Sequence, residues 1–144
     1  MSGSFQIGLA ASEADRRAAF PVMRALRTHI EAEADFLARV RAQEEVGYRL
    51  ALLRDGDAIL AVAGFRLAEN LAWGRFLYVD DLVTAPEARS RGCGAALLAW
   101  LFERARDEGC SELHLDSGTH RSDAHRFYER EGMEPTSLHF RRKL

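Results

Sequence analysis

Cysteine is almost absent from this chain of 144 residues: Cys93 and Cys110 are the two that occur, and such a pair makes neither a disulfide framework nor a metal-ligand cluster. Two reduced thiols and no metal centre are expected. Charge of one sign is lacking as well, because 20 Lys and Arg stand against 22 Asp and Glu for a formal net charge of -2. The long-range attraction that brings proteins to phosphate backbones is then weak, and no nucleic-acid partner is expected. No run approaches the roughly 20 apolar residues of a spanning helix, and Met1 to Gln6 shows none of the parts of a secretory signal. The expectation is a cytoplasmic protein with no membrane partner. Internal repeats and low-complexity segments are missing too.

What is present is the balance of a packed globular domain, 47% hydrophobic and 29% charged, with enough length to bury about two thirds of the unfolded surface. One domain over 1–144 is expected. Phe5, Ile7 and Leu9 alternate with Gln6 and Gly8 as in a short strand. Ser12 offers an N-cap to a following helix, which Pro21 should interrupt or restart. A second helical pattern runs from Glu31 to Glu45 and stops at Gly47. Three strand-like runs follow, over 48–54, 58–68 and 75–84, the first two joined by the turn signal Asp55-Gly56-Asp57. That section reads as antiparallel. An apolar helix over 94–107 then leads to a strand carrying Leu113 and Leu115, which a crossing helix allows to lie parallel to the preceding strand. Ser122 or Asp123 is the expected cap of a last helix that ends at Gly132, and the alternation around Leu138 and Phe140 predicts a final strand over 136–144. The fold class is thus mixed α/β, with a mostly antiparallel sheet and one parallel pair.

The chemically informative stretch runs from Asp80 to Leu98: a strand, a turn with Pro86, the loop Arg89-Ser90-Arg91-Gly92-Cys93-Gly94, and a helix. Unpaired N–H groups and the positive end of the macrodipole make such a helix start an anion site. Gly92 and Gly94 let the backbone approach a pyrophosphate, and Arg89 and Arg91 can add positive charge. The Lys-Ser/Thr pair of a Walker loop is missing, and the three glycines of a dinucleotide fingerprint do not occur in an early parallel unit.

Arg89, Gly92 and Gly94 match the signature of the GCN5-related N-acetyltransferase (GNAT) superfamily: Gln or Arg, two residues, Gly, one residue, then Gly or Ala. Some thirty residues later Ala124-His125-Arg126-Phe127-Tyr128, followed by Gly132-Met133, is similar to that family's late helix. The chain therefore resembles this superfamily from about 48 to 144, and over the first helices by position. The resemblance implies the GNAT fold, a central sheet with a splayed parallel strand pair and about four helices. It also implies acetyl-CoA as acyl donor, an amine as acceptor, and a homodimer.

Carried over residue by residue, it implies that the backbone of Leu82, Val83 and Thr84 pairs with the pantetheine arm. Arg89, Ser90, Arg91, Gly92, Cys93, Gly94 and Ala95 would hold the pyrophosphate, with Arg91 the favoured side chain. Cys93 stands where the family usually packs an aliphatic residue. Tyr128 resembles the tyrosine that protonates the departing thiolate, a role suited to a phenol near pKa 10. Ala124 and Arg121 lie in the late motif beside the cofactor. Arg121 departs from the usual Asn and cannot accept a hydrogen bond, so the contact with the pantetheine or the leaving sulfur does not carry over, and Arg121 would instead meet a phosphate of the cofactor or an acidic acceptor.

For the base, the resemblance implies Asp80 over Asp81, because the family often carries a glutamate at that place, acting directly or through a held water, with His114 and His120 as substitutes. Neighbours on a strand point to opposite faces, so one of the two aspartates should reach the cleft and not both. The acceptor pocket is expected between the first two helices, near Glu31, Glu33, Asp35, Glu44 and Glu45, whose acidity would draw a cationic amine. The function implied is acetyl transfer to a primary amine, of a small molecule or of a protein, by direct attack. A non-catalytic acyl-CoA sensor keeps the same loop and needs neither Tyr128 nor a base. ATP binding is a third, weaker alternative.

Overall fold

The computed structural model describes residues 4–144. Strand β1 (Gln6–Leu9) is followed by helices α1 (Glu13–Met23) and α2 (Glu33–Glu44), and then by strands β2 (Tyr48–Asp55), β3 (Ala58–Asn70) and β4 (Gly74–Thr84). A 3-10 turn at Pro86–Ala88 leads to α3 (Cys93–Asp107), β5 (Glu112–Leu115) and α4 (Ser122–Arg130). The backbone separates into two compact units, the first ending at His114 and the second running Leu115–Leu144.

In the first unit the strands stand in the order β1-β2-β3-β4-β5. The pairs from β1 to β4 are antiparallel, while β5 runs parallel to β4 because α3 crosses between them. The mixed sheet expected from the sequence is therefore present. Strand β3 carries an unbroken buried run from Leu60 to Phe65, which signals helices on both faces of the sheet. Helices α1 and α2 meet through Phe20 and Phe36, with ring centroids 5.3 Å apart. On the other face α3 brings Trp100 edge-on to Phe65 at 6.2 Å. Leu97, Leu98 and Leu101 of α3 are wholly buried, each contributing about 1.5–3 kcal/mol of apolar burial.

Local chemistry explains the element ends. The Ser12 side chain accepts the Asp15 N–H at 3.1 Å, while an Asp15 carboxylate oxygen accepts the Ala11 N–H at 3.0 Å, so one orphan donor of α1 and the amide just before its cap are satisfied. Pro21 does not split the helix: it lies within the last turn of α1, which ends two residues later at Met23. Gly47 turns out of α2 with φ at 108°, where a side chain would be strained.

Two expectations about the second unit are corrected. Neither Ser122 nor Asp123 caps α4; Arg121 occupies the N-cap and makes no side-chain capping bond. Residues 133–144 form no strand, since the alternation around Leu138 and Phe140 finds no apolar surface to cover, leaving these residues 76% and 87% exposed. Periodicity alone does not supply the paired edge a strand needs.

Candidate active site

Between Gly64 and Phe65 the register of β3 against β4 slips: Gly64 stands opposite Asp81 and Phe65 opposite Val79, which leaves Asp80 as an extra residue in β4. Such a bulge cancels one step of the alternation and turns two successive side chains to the same side. Asp80 and Asp81 accordingly both line one cavity of about 360 Å³. The expectation that adjacent aspartates point to opposite faces is overturned here, because it holds for a regular strand and the bulge is not one.

Each carboxylate is held by its own set of donors. Arg66 donates from Nε and Nη2 to the two oxygens of Asp80, each at 2.8 Å, a planar two-point contact. Arg27 donates from Nε to Asp81 Oδ1 and from Nη2 to the Asp80 carbonyl, both at 2.8 Å. Tyr48 Oη donates to Asp81 Oδ2 at 2.8 Å. Burial, and next the Asp81 carboxylate, push the Tyr48 phenol far above its ordinary value, so it stays a proton donor. The Asp80 contact in turn raises the Arg66 guanidinium further.

The cavity lies where a pocket between the first helices is expected: Met23 and Ile30 come from the end of α1 and the loop after it, and Phe36, Arg39 and Val40 from α2. Its rim is not acidic. Glu31, Glu33, Asp35, Glu44 and Glu45 are absent from its lining, and Arg27, His29 and Arg39 stand there instead. Asp35 bonds Arg39 within α2, while Glu44 pairs with Arg16 and Glu33 lies 3.7 Å from Arg17, two contacts that tie α2 to α1.

Leu82, Val83 and Thr84 continue β4 beyond the bulge and pair with Ala63, Val62 and Ala61 of β3. The glycine loop follows. Arg89 closes the 3-10 turn, Ser90 has φ at 71°, and Gly92 is the N-cap of α3 in the left-handed region at 80°. No side chain caps α3 and no acid occupies its first turn, so the amides of Cys93, Gly94 and Ala95 are open to an anion. A Cβ built on Gly92 meets nothing within 4 Å, which leaves room for a pyrophosphate beside the backbone. These features fit the diphosphate of the cofactor that the resemblance implies. Arg91 is drawn to Asp55 in the β2–β3 turn at 2.8 Å and lies over the Phe5 ring. Arg89 is exposed and has no ion-pair partner among the described residues. Cys93 is buried, and that burial raises its thiol above the usual value, as suits a packing residue. The histidine substitutes differ in setting: His114 stacks on Trp73 at 3.4 Å and contacts Glu112 at 2.6 Å, while His120 is exposed.

In the second unit α4 carries Ala124, Phe127 and Tyr128, with the Phe127 and Tyr128 rings 5.3 Å apart. Burial raises the Tyr128 phenol, against a lowering influence from Arg121. Tyr128 is therefore protonated at neutral pH, which is the form a proton donor requires.

Sequence reasoning passed over Tyr48, Arg27 and Arg66. Gly64 within β3 was the available signal, because a glycine inside a strand often marks a close approach. Nothing local distinguishes Arg27 or Arg66 from other surface arginines.

Comparison with known proteins supplies the remaining evidence. A family described as the acetyltransferase (GNAT) family matches residues 13–133. An uncharacterized N-acetyltransferase of Bacillus subtilis (strain 168) is 35% identical over 127 residues, covering 87% of this chain and 89% of that protein. The aminoalkylphosphonate N-acetyltransferase of Salmonella typhimurium is 35% identical over 100 residues, 69% of this chain and 64% of that protein. A solved structure described as a transcriptional regulator from Bacillus halodurans C-125 superposes with a TM-score of 0.84 at 23% identity, covering 98% of this chain and all of that one; at that identity the likeness carries the fold alone.

Proposed function

Since the chain belongs to the acetyltransferase (GNAT) family, we propose that it moves an acetyl group from acetyl-CoA to a primary amine by direct attack. The observation that carries this reading is the uncapped start of α3, one short loop after β4, the strand whose bulge turns two carboxylates into a cavity. A small-molecule acceptor is favoured over a protein amine, because the cavity is at the small end of the roughly 300–1,000 Å³ of small-molecule sites. The relative named for aminoalkylphosphonates supports the same choice.

Acetyl-CoA supplies the activated acetyl group. The amides of Cys93, Gly94 and Ala95 hold its diphosphate, aided by the side chain of Arg89 and by Ser90, Arg91 and Gly92 in the loop, and the backbone of Leu82, Val83 and Thr84 lies along its pantetheine arm. Asp80, oriented by Arg66, accepts the proton that the amine loses, directly or through a water. Tyr128 donates a proton to the leaving sulfur, and Arg121 and Ala124 flank it on α4. Holding amine and thioester together supplies much of the rate. We further propose that residues 1–144 work as one N-acetyltransferase domain, a reading supported by the family match, which crosses the border between the two units. The protein is proposed to act in the cytoplasm, as a homodimer.

Free-thiol release from acetyl-CoA with a panel of primary amines tests the reading, with the acetylated product identified by mass. Turnover that drops in Asp80→Asn is the expected result. Binding of acetyl-CoA without turnover of any amine would point to a sensor instead.

A further inference from the structure

The polar groups of the cavity are unevenly engaged. Its acceptors are largely taken: Arg66 covers both oxygens of Asp80, while Arg27 and Tyr48 cover those of Asp81. Its donors are not. Arg39 gives its Nε to Asp35 at 3.1 Å, which leaves both terminal nitrogens of the guanidinium unengaged among the described residues. The ring of His29 likewise has no hydrogen-bond partner among them, and Arg27 keeps one terminal nitrogen in reserve. A guanidinium offers five N–H bonds in a planar fork that matches a carboxylate or a phosphoryl group.

The two sides of the cavity therefore ask for opposite charges. Toward β4, carboxylates still have lone pairs that can orient an ammonium group. Toward α2 and the loop before it, the Arg39 guanidinium and the His29 ring, both exposed to solvent, face the same space, together with the apolar side chains of Ile30, Phe36 and Val40. An amine with a plain alkyl tail would leave those donors to water, whereas a molecule with a second, anionic end also pairs with the Arg39 charge through charge-assisted hydrogen bonds.

We infer that the acceptor is a small amphoteric molecule, a primary amine joined by a short chain to a carboxylate or a phosphoryl-type anion, with Arg39 and His29 receiving the anion. This rests on the acetyl-transfer reading above and adds the class of acceptor. Arg39 and His29 are specificity-determining residues under it, and neither takes part in the proton transfers.

The test compares 2-aminoethylphosphonate and β-alanine with propylamine and putrescine, following thiol release. The expected result is a kcat/KM about tenfold or more higher for the anionic amines than for propylamine, and a ratio that falls toward one in Arg39→Gln and in His29→Asn. The preferred member of the anionic pair tells phosphoryl from carboxylate recognition. Preference for propylamine or putrescine, or a ratio unchanged in both variants, overturns the inference. If no amine is turned over, the acetyl-transfer reading fails and calorimetry with inorganic phosphate and with β-alanine decides separately. Heat of binding that is lost in Arg39→Gln supports an anion site, and its absence from the native protein at about 10 mM ligand, a level that still reports weak binding, overturns it.

Discussion

Tyr48 reaches Asp81 across β3 because the residue between them is Gly64. A Cβ built there lies 1.8 Å from Tyr48 Oη, 2.3 Å from Cζ and 2.6 Å from Asp81 Oδ2, so the phenol-to-carboxylate bond of 2.8 Å and any side chain at position 64 exclude each other. The chain thus gives up a side chain in the middle of its sheet, and a side chain from β2 fills the space to secure a carboxylate on β4.

Gly64→Ala should displace the Tyr48 ring and lower stability by about 1–3 kcal/mol through overpacking and a lost bond to a charged acceptor. Tyr48→Phe should cost a similar amount. The two losses should be less than additive when combined, because both remove the same contact. Thermal unfolding of the two single variants and the double variant measures this, and full additivity would show the glycine to be unrelated to the tyrosine.

Tyr128→Phe should lower kcat by about 10²-fold or more while leaving folding intact, as loss of a general acid does. The sign of the pH effect follows from the raised phenol: the protonated form is competent, and activity disappears as pH climbs through a value above the ordinary one near 10. No falling limb assignable to Tyr128 is expected below about pH 10. Because Arg121 opposes the upward shift, Arg121→Gln should move that limb higher still. A kcat profile that falls with a midpoint near neutrality and persists in Tyr128→Phe assigns the proton to another group.

Arg89→Gln should raise the KM for acetyl-CoA more than Arg91→Gln does. Arg91 already spends part of its charge on Asp55 at 2.8 Å, whereas Arg89 is exposed with no ion-pair partner among the described residues. Added salt should weaken cofactor binding in the native protein and less so in Arg89→Gln. Steady-state kinetics at two ionic strengths checks both statements.

Asp15→Asn should lower stability by about 1 kcal/mol near neutral pH, the usual worth of a helix-start contact. The Asp15 carboxyl is held below its ordinary 3.8, first by the Ala11 N–H and then by Arg54 and Ser12. A depressed carboxylate contributes fully above 3.8, and its contribution fades as pH falls through the lower native value. Denaturant melts at pH 7 and near pH 3 should therefore show the gap between native protein and variant closing in acid.

Much of this architecture was legible in the chain. The periodicity around Phe36, Leu37 and Val40, the turn at Asp55-Gly56-Asp57, and the leucines of α3 each reflect local rules: a helix or strand must hide one face, and a chain reversal needs residues that tolerate it. The glycine loop before α3 was legible for the same reason, since the chemistry of an open helix start is contained in consecutive residues. The last strand failed because alternation at Leu138 and Phe140 describes a surface to be covered and says nothing of what covers it.

The charge of the cavity beside the first helices was misjudged for a related reason. Acidic residues crowd α2 in sequence, yet Arg16 and Arg17 of α1 pair with Glu44 and Glu33 while Arg39 holds Asp35 within α2, and the pairing between helices depends on which faces cross.

The order of elements from β1 to α4, the hairpin and crossover that set the strand directions, and the open helix start at Gly92 were determined by the sequence alone, because each rests on signals within a few positions. Only the tertiary structure decided that Asp80 and Asp81 share one cavity, that Gly64 makes way for Tyr48, and that Arg27 and Arg39 line that same cavity. Those facts depend on a one-residue slip between β3 and β4 and on side chains meeting across 33 or 54 positions. A pattern read along the chain has no term for such distances.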